Sequence, residues 1–489
     1  MTETAVARPD VVRRQRPRLV ARLATVGAAA LLAVAGCGTA TPSTAPPPDA
    51  RSVAAAITED GLRAVLEDLA AATAGSERYR AVGSEGYDRA ATMVEEALRE
   101  AGWTVTADAY DGLAFEDDGT STLEVGGRMF TAPDVLPLIF SPPGEVEGPV
   151  VAIDWDPTAV EADGKGCAVT HYGDLPPDAI VVVRSGDCLR RDQVIAARQA
   201  GAAAFIAVYP AAPGGVGYRP TLIEPTFVDI PAAGVTREAA DALIAAAASD
   251  GAARLATTAR TRSVATRSVI AELPGSEPKP VIMLGAHVDS VLDGPGINDD
   301  GSGVAALLEI ARALGGTRPR ATVRLAFWSG EELGLHGSVR YASTLAAEEA
   351  ERILVYANVD MIASPNGYAG VYDEPGAPIG SAAAHELLAS AVERAGGTPV
   401  GVDIGGGSDH YGFAQAGIAT AGIYSGASEP VTAEQAAAAG AVAGRSADPC
   451  YHQPCDDVAN ANVGLARTLA AGLADFTVRV ANNPELLRH

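Results

Sequence analysis

The sequence predicts an α/β protein: a mixed, mostly parallel central sheet flanked by helices, with a small β-rich domain inserted. Three observations carry that expectation. After about residue 263, short continuous apolar runs alternate with helical repeats, the pattern of parallel strands covered on both faces. A helix-to-strand rhythm of the same kind occupies residues 57–107. Between the two, from about 133 to 262, strand-like runs are separated by Gly/Pro turns. The length of 489 residues allows a large domain with an insertion, and 48% hydrophobic against 20% charged residues is ample for a packed core.

The first 36 residues stand apart. Arg13, Arg14, Arg16, Arg18 and Arg22 form a basic stretch, and residues 23–36 are a largely apolar run. That run is short for a spanning helix, which needs roughly 20 apolar residues. It ends Val34-Ala35-Gly36-Cys37, with small residues before a cysteine. This resembles the lipobox of bacterial lipoproteins. The resemblance implies cleavage after residue 36 and a lipid on the Cys37 thiol, anchoring the chain to the outer face of the bacterial cell membrane. An ordinary secretory signal, with release into the medium, is the alternative. Residues 39–50 are rich in Pro, Ser and Thr and read as an extended spacer, within a linker placed at 37–54.

Charge narrows the partners. Lys+Arg total 36 against 61 Asp+Glu, a formal charge of −25. Without residues 1–36, which hold six Arg, one Glu and one Asp, the balance is about −29. Nucleic acid and an anionic bilayer surface both need a basic face, so neither suits the folded body.

Residues 57–70 and 84–101 read as amphipathic helices. Leu62, Val65, Leu66 and Leu69 supply the first apolar face; Ala90, Met93, Val94, Ala97 and Leu98 supply the second. Gly102 stops the second helix and a strand starts at Trp103. In the middle region, strands are expected from Val150, Ala179 and Ala204, with a helix at 191–200. Cys167 and Cys188 lie here, and Gln199-Ala-Gly-Ala-Ala-Ala-Phe-Ile follows. This stretch resembles the protease-associated domain, a small β-rich insert found in several secreted peptidases. Further on, strands are expected at 281–288, 322–328, 352–359 and 418–424, with helices at 303–314, 333–345, 381–395 and about 463–480. Ligand sites in such sheets gather at the carboxyl ends of the strands.

Those ends carry unusual residues. The first strand runs into His287-Val-Asp289-Ser, followed by Gly296-Ile-Asn-Asp299-Asp300-Gly-Ser-Gly before a helix. The second ends Phe327-Trp-Ser-Gly-Glu331-Glu332, the third Asn358-Val-Asp360-Met, and Cys450-Tyr451-His452-Gln-Pro-Cys455 comes near the end of the chain. Imidazoles and carboxylates drawn from several strand ends suit a borderline divalent cation such as zinc. Two histidines and three carboxylates suit two metals sharing one carboxylate, the geometry of two-metal hydrolysis. Asp299, in its Gly-rich turn, is the natural bridge. Asp289 is placed to accept the second ring N–H of His287 and fix its tautomer. Of Glu331 and Glu332, one can bind metal while the other takes a proton from water. The Tyr451 phenol is a candidate donor to a developing oxyanion.

With these flanks, the run from about 270 to 462 and the helices before Gly102 resemble the co-catalytic di-zinc aminopeptidases. These share a core with glutamate carboxypeptidase and the transferrin receptor. The resemblance implies that His287 and Asp360 bind one zinc, Glu332 and His452 the other, and Asp299 bridges. It implies Glu331 as general base, Tyr451 as carbonyl or oxyanion donor, and a cis peptide between Asp299 and Asp300. The odd cysteine count then divides into Cys37 and two disulfides, Cys167–Cys188 and Cys450–Cys455, in keeping with an oxidising setting. His171, His336, His385 and His489 read as surface or packing residues, and His410 as structural or pocket-lining. Where some relatives carry Arg ahead of Ser408-Asp409-His410, this chain has Gly407.

The domain expectation is therefore a signal at 1–36, a linker at 37–54, peptidase parts at 55–132 and 263–489, and the insert at 133–262. The functional expectation is a monomeric zinc aminopeptidase acting on peptides with free, apolar N-termini. A carboxypeptidase or dipeptidase on the same core, or a non-catalytic surface receptor, are the alternatives. No additional calcium site is indicated.

Overall fold

The computed structural model describes residues 45–487, apart from 76–77, 154–165, 185–187, 209–217 and 278. The signal segment, Cys37, most of the linker and His489 lie outside the described residues. Among the described residues no helix is long and apolar enough to cross a membrane.

An eight-stranded mixed sheet forms the centre. Across the sheet its strands run Thr104–Glu116, Arg260–Leu273, Thr322–Trp328, Val281–His287, Ile353–Val359, Thr420–Tyr424, Ala369–Tyr372 and Pro399–Val402. The four strands from Thr322–Trp328 to Thr420–Tyr424 are mutually parallel. Val281–His287 and Thr322–Trp328 are buried at every position, and Ile353–Val359 at all but one. That explains why they read as unbroken apolar runs rather than alternating ones. Helices Glu59–Ala72, Glu85–Glu100, Gly301–Leu314, Ser381–Arg394 and Val463–Asn482 close over the sheet into one large apolar core.

Helix starts follow capping chemistry. Thr58 and Ser84 accept N–H bonds from Gly61 and Tyr87, and Asp300 from Gly303. The linker expected to reach residue 54 ends earlier. Asp49 caps a helix at Ala50–Ala56 whose Val53 is buried, while the carbonyls of Pro46 and Pro48 accept bonds from Arg318 and Asn482. Helical capping and burial outweigh the Pro-rich composition there.

A second eight-stranded sheet builds the insert, with one apolar cluster of its own and a second that takes in Val82 and Leu333 of the peptidase part. It takes in Thr122–Val125 and Arg128–Phe130, ahead of residue 133, because Thr122–Val125 pairs with Ala252–Thr257. The chain passes into and out of the insert along one antiparallel ribbon, in register from Thr104 opposite Glu272 to Glu116 opposite Arg260. Cys167–Cys188 and Cys450–Cys455 are both bonded.

Candidate metal centre and cleft

His287 ends its strand fully buried, and Asp299, Glu332 and Asp360 are buried near it. His287 Nε2 lies 3.2 Å from Asp299 Oδ1, 3.8 Å from Asp360 Oδ1 and 3.9 Å from Glu331 Oε2. His452 Nε2 lies 3.2 Å from Asp299 Oδ2 and 3.1 Å from Glu332 Oε2. Asp299 thus turns one oxygen to each histidine. The donors form two sets, His287–Asp299–Asp360 and Asp299–Glu332–His452, each with its ligand atoms within 4.8 Å of one another.

These residues fit a bound cation better than they fit one another. His287 Nε2 and Glu332 Oε1 are buried and make no hydrogen bond. Buried polar atoms are otherwise nearly always paired. Both imidazoles are pushed well above the ordinary histidine range; burial opposes this, but the surrounding carboxylates prevail. Burial would raise Asp299, yet its two histidines hold it below the usual carboxylate range. Burial and neighbouring carboxylates push Glu331 well above its ordinary value, and Glu332 and Asp360 also rise through burial. One imidazole and two carboxylates per set are donors that zinc accepts.

A second layer fixes these ligands. The His287 ring donates from Nδ1 to a carbonyl, that of Asp289, at 3.0 Å. The Asp289 carboxylate, 3.9 Å from the ring, has a different task from the expected one. It accepts N–H bonds from Gly330 (2.8 Å), Glu331 (3.2 Å) and Glu332 (3.2 Å), so it shapes the turn that carries both glutamates. Asp300 ties three segments together, accepting from the backbone N–H of His287, Gly303 and Met361. The peptide between Asp299 and Asp300 is cis. Asp456 accepts from the N–H groups of Asn298 and Asp299. Arg80 is fully buried and donates to the carbonyls of Val288, Pro295 and Gly296, bracing the loop between His287 and Asp299. Ser408 Oγ donates to Asp360 Oδ2 at 2.6 Å.

Sequence reasoning gave Asp300, Asp456, Arg80 and Ser408 no part in holding the site. Only Asp300 had a local signal, as an N-cap before Gly301. His410 is buried against Glu374 at 2.9 Å, apart from either donor set, in line with a structural role. His336 packs on Phe140 and His385 bonds the Tyr372 carbonyl.

The donor sets open onto a cleft of about 540 Å³. Beside Asp360 its walls combine Met361, Tyr368, Val402, Ile404, Tyr424 and Ala427 with the polar Asp403, Ser428, Glu429 and Gln435. At the other donor set stand Glu332, Tyr451, His452 and, from the insert, Tyr218. The Tyr451 ring stacks on His452 at 3.8 Å, and His452 has a left-handed backbone (φ 57°) inside the Cys450–Cys455 loop. The described lining includes six carboxylates (Asp299, Glu331, Glu332, Asp360, Asp403 and Glu429) and no Lys or Arg.

Residues 268–477 match the family described as Peptidase family M28, and residues 146–243 match the PA domain. The chain is 37% identical over 409 residues to a probable lipoprotein aminopeptidase, LpqL, of Mycobacterium tuberculosis, covering 80% of this chain and 78% of that protein. It is 33% identical over 421 residues to an aminopeptidase of Pseudomonas aeruginosa, covering 81% and 75%. Its fold is shared with an aminopeptidase from Aneurinibacillus sp. strain AM-1, at a TM-score of 0.69 and 23% identity over 88% of this chain and 96% of that one.

Proposed function

The chain belongs to peptidase family M28, with a PA domain set into it, and on that premise we propose that it is an aminopeptidase working with two zinc ions. His287, Asp360 and the shared Asp299 would hold one zinc; Glu332, His452 and Asp299 the other. When bound, zinc supplies Lewis acidity to the scissile carbonyl and to the attacking water. Glu331 is the base that takes the water's proton and returns it to the leaving amine. Burial and the neighbouring carboxylates keep the Tyr451 phenol protonated, so it serves as a donor to the oxyanion.

The observation that carries amino-end over carboxyl-end recognition is the charge of the cleft. Two zinc ions would offset the charge of Asp299, Glu331, Glu332 and Asp360, so Asp403 and Glu429 are the carboxylates left to attract an α-ammonium, and no Lys or Arg among the described lining residues is there to grip a terminal carboxylate. The walls beside Asp360 suit an apolar N-terminal side chain, in keeping with relatives named leucine aminopeptidase. A full ligand set and base speak against a purely receptor role. Export and a lipid on Cys37 form part of the same proposal, supported by the lipobox-like run and by a relative named as a lipoprotein.

The test is turnover of aminoacyl anilides with free and acetylated amino groups, with chelator and with zinc restored. Hydrolysis of the free series only, abolished by chelator and regained with zinc, is expected. Cleavage confined to the acetylated series refutes the reading.

A further inference from the structure

We infer that the insert supplies a substrate-contacting residue to the cleft, Tyr218, which governs how the residue after the scissile bond is held. The inference rests on the aminopeptidase reading of the same cleft.

Tyr218 is the one residue of the insert among the described cleft-lining residues. Its ring lies nearly parallel to the His452 imidazole, 18° between planes and 6.1 Å between centroids. A buried clamp holds it there. The next residue, Arg219, is buried and pairs with Asp117 and with Asp293, at 2.9 Å each. Asp293 belongs to the loop that leads into Asp299, so the clamp ties Tyr218 to the metal-site loop. Two residues on, Thr221 Oγ1 donates to the carbonyl of Leu333, the neighbour of Glu332, at 3.0 Å. His336 Nε2 meets the Ile223 carbonyl at 2.9 Å, and a Cβ on Gly334 (φ 121°) would lie 3.1 Å from Ile223. Residues 218–223 are therefore fastened along the turn that presents Glu331 and Glu332.

The cleft's two ends then divide the substrate. An exopeptidase needs room for one residue on the acyl side and a way out for the rest. Met361, Tyr368, Val402, Ile404 and Tyr424, on the Asp360 side, would receive the N-terminal side chain, whereas Tyr218 of the insert stands beside His452. With the scissile carbonyl over the shared Asp299, the residue beyond it passes Tyr218. A fixed phenol ring favours an aromatic or apolar side chain there; ring contacts contribute roughly 0.5–1.5 kcal/mol, or about 2–10-fold.

Full-length, zinc-loaded enzyme is assayed on leucine amide, whose leaving group is ammonia, and on Leu-Gly and Leu-Phe dipeptides. Tyr218→Ala is expected to lower kcat/KM for Leu-Phe about 10-fold, mainly through KM, with leucine amide within about 2-fold and zinc content unchanged. Tyr218→Phe keeps most of the discrimination. Should alanine loosen the segment, Tyr218→Leu retains bulk without the ring and reads the same ratio. An equal loss on amide and dipeptides assigns the effect to His452 and overturns the inference, as does no loss on either. Wild-type enzyme that turns over none of the three refutes the aminopeptidase reading instead.

Discussion

Asp289 offers a way to disturb one half of the metal centre alone. Its backbone carbonyl, which accepts from the His287 ring, is unaffected by a change of side chain. Its carboxylate takes Gly330 and Glu331 on Oδ1 and Glu332 on Oδ2, the Gly330 and Glu332 bonds being buried. In Asp289→Asn the amide oxygen can serve the first pair, but the NH₂ group then faces the Glu332 N–H, donor against donor. A buried, charge-assisted bond of this kind contributes about 1.5–3 kcal/mol. With roughly 1.4 kcal/mol per decade, zinc held by Glu332 and His452 should weaken about 10–100-fold. Zinc held by His287 and Asp360 should stay within about 3-fold, because neither ligand depends on the lost bond. Competition against a chromophoric chelator resolves the two affinities, and added zinc should restore turnover. Equal weakening of both zincs, or of neither, would refute the reasoning that the carboxylate acts through the glutamate turn.

Glu331→Gln should keep both zincs while kcat falls about 10²–10⁴-fold, checked by metal analysis beside steady-state kinetics. Ser408→Ala removes the 2.6 Å bond to Asp360 and one of the two acceptors of the Asn358 amide, leaving Tyr372 Oη; zinc at the His287–Asp360 set should weaken about 10-fold by chelator competition, with the other set spared. The carboxylates raise both metal-free imidazoles, so each holds its proton to higher pH than a free histidine. Protons then compete with zinc below those raised values: affinity should climb with pH until both rings deprotonate, by up to roughly tenfold per unit per histidine, and a flat profile between about pH 5.5 and 8.5 would contradict it.

The strand-end donors were legible because most belong to a short local run, His287 with Asp289, Asp299 with Asp300, Glu331 with Glu332, and His452 between two cysteines, while Asp360 stood out only as a charge ending an apolar strand. The buried parallel strands were legible for the same local reason. What escaped is what only tertiary packing decides. Arg80 is one of two arginines in a loop, with nothing local to set it apart from Arg78, and its three carbonyl partners lie more than 200 residues away. Asp456 follows a cysteine in a run read for its histidine, and its partners are backbone N–H groups of another loop. Asp289 was singled out, but which of its atoms meets His287 depended on the turn from Ser329 to Glu332 packing over it. Thr104–Glu116 is half exposed, with no continuous apolar run, so most of its length left no periodic trace. Tyr218 follows a Gly- and Pro-rich run of sequence, and its place in the cleft follows from the Arg219 clamp.

The ribbon that leads into and out of the insert bears on the order of assembly. Bringing the ends of a flexible loop of about 140 residues together costs roughly 4 kcal/mol of chain entropy. An insert that folds first removes most of that cost, because its own strands set Glu116 beside Arg260. The core cannot do the same, since every one of its strands but Thr104–Glu116 begins at residue 260 or later, and chains are made from the N-terminus at about 5–20 residues per second. Helices Glu59–Ala72 and Glu85–Glu100 must therefore wait, apolar faces uncovered, for Gly301–Leu314 and Val463–Asn482 to be synthesised. The first helices made are among the last to be buried.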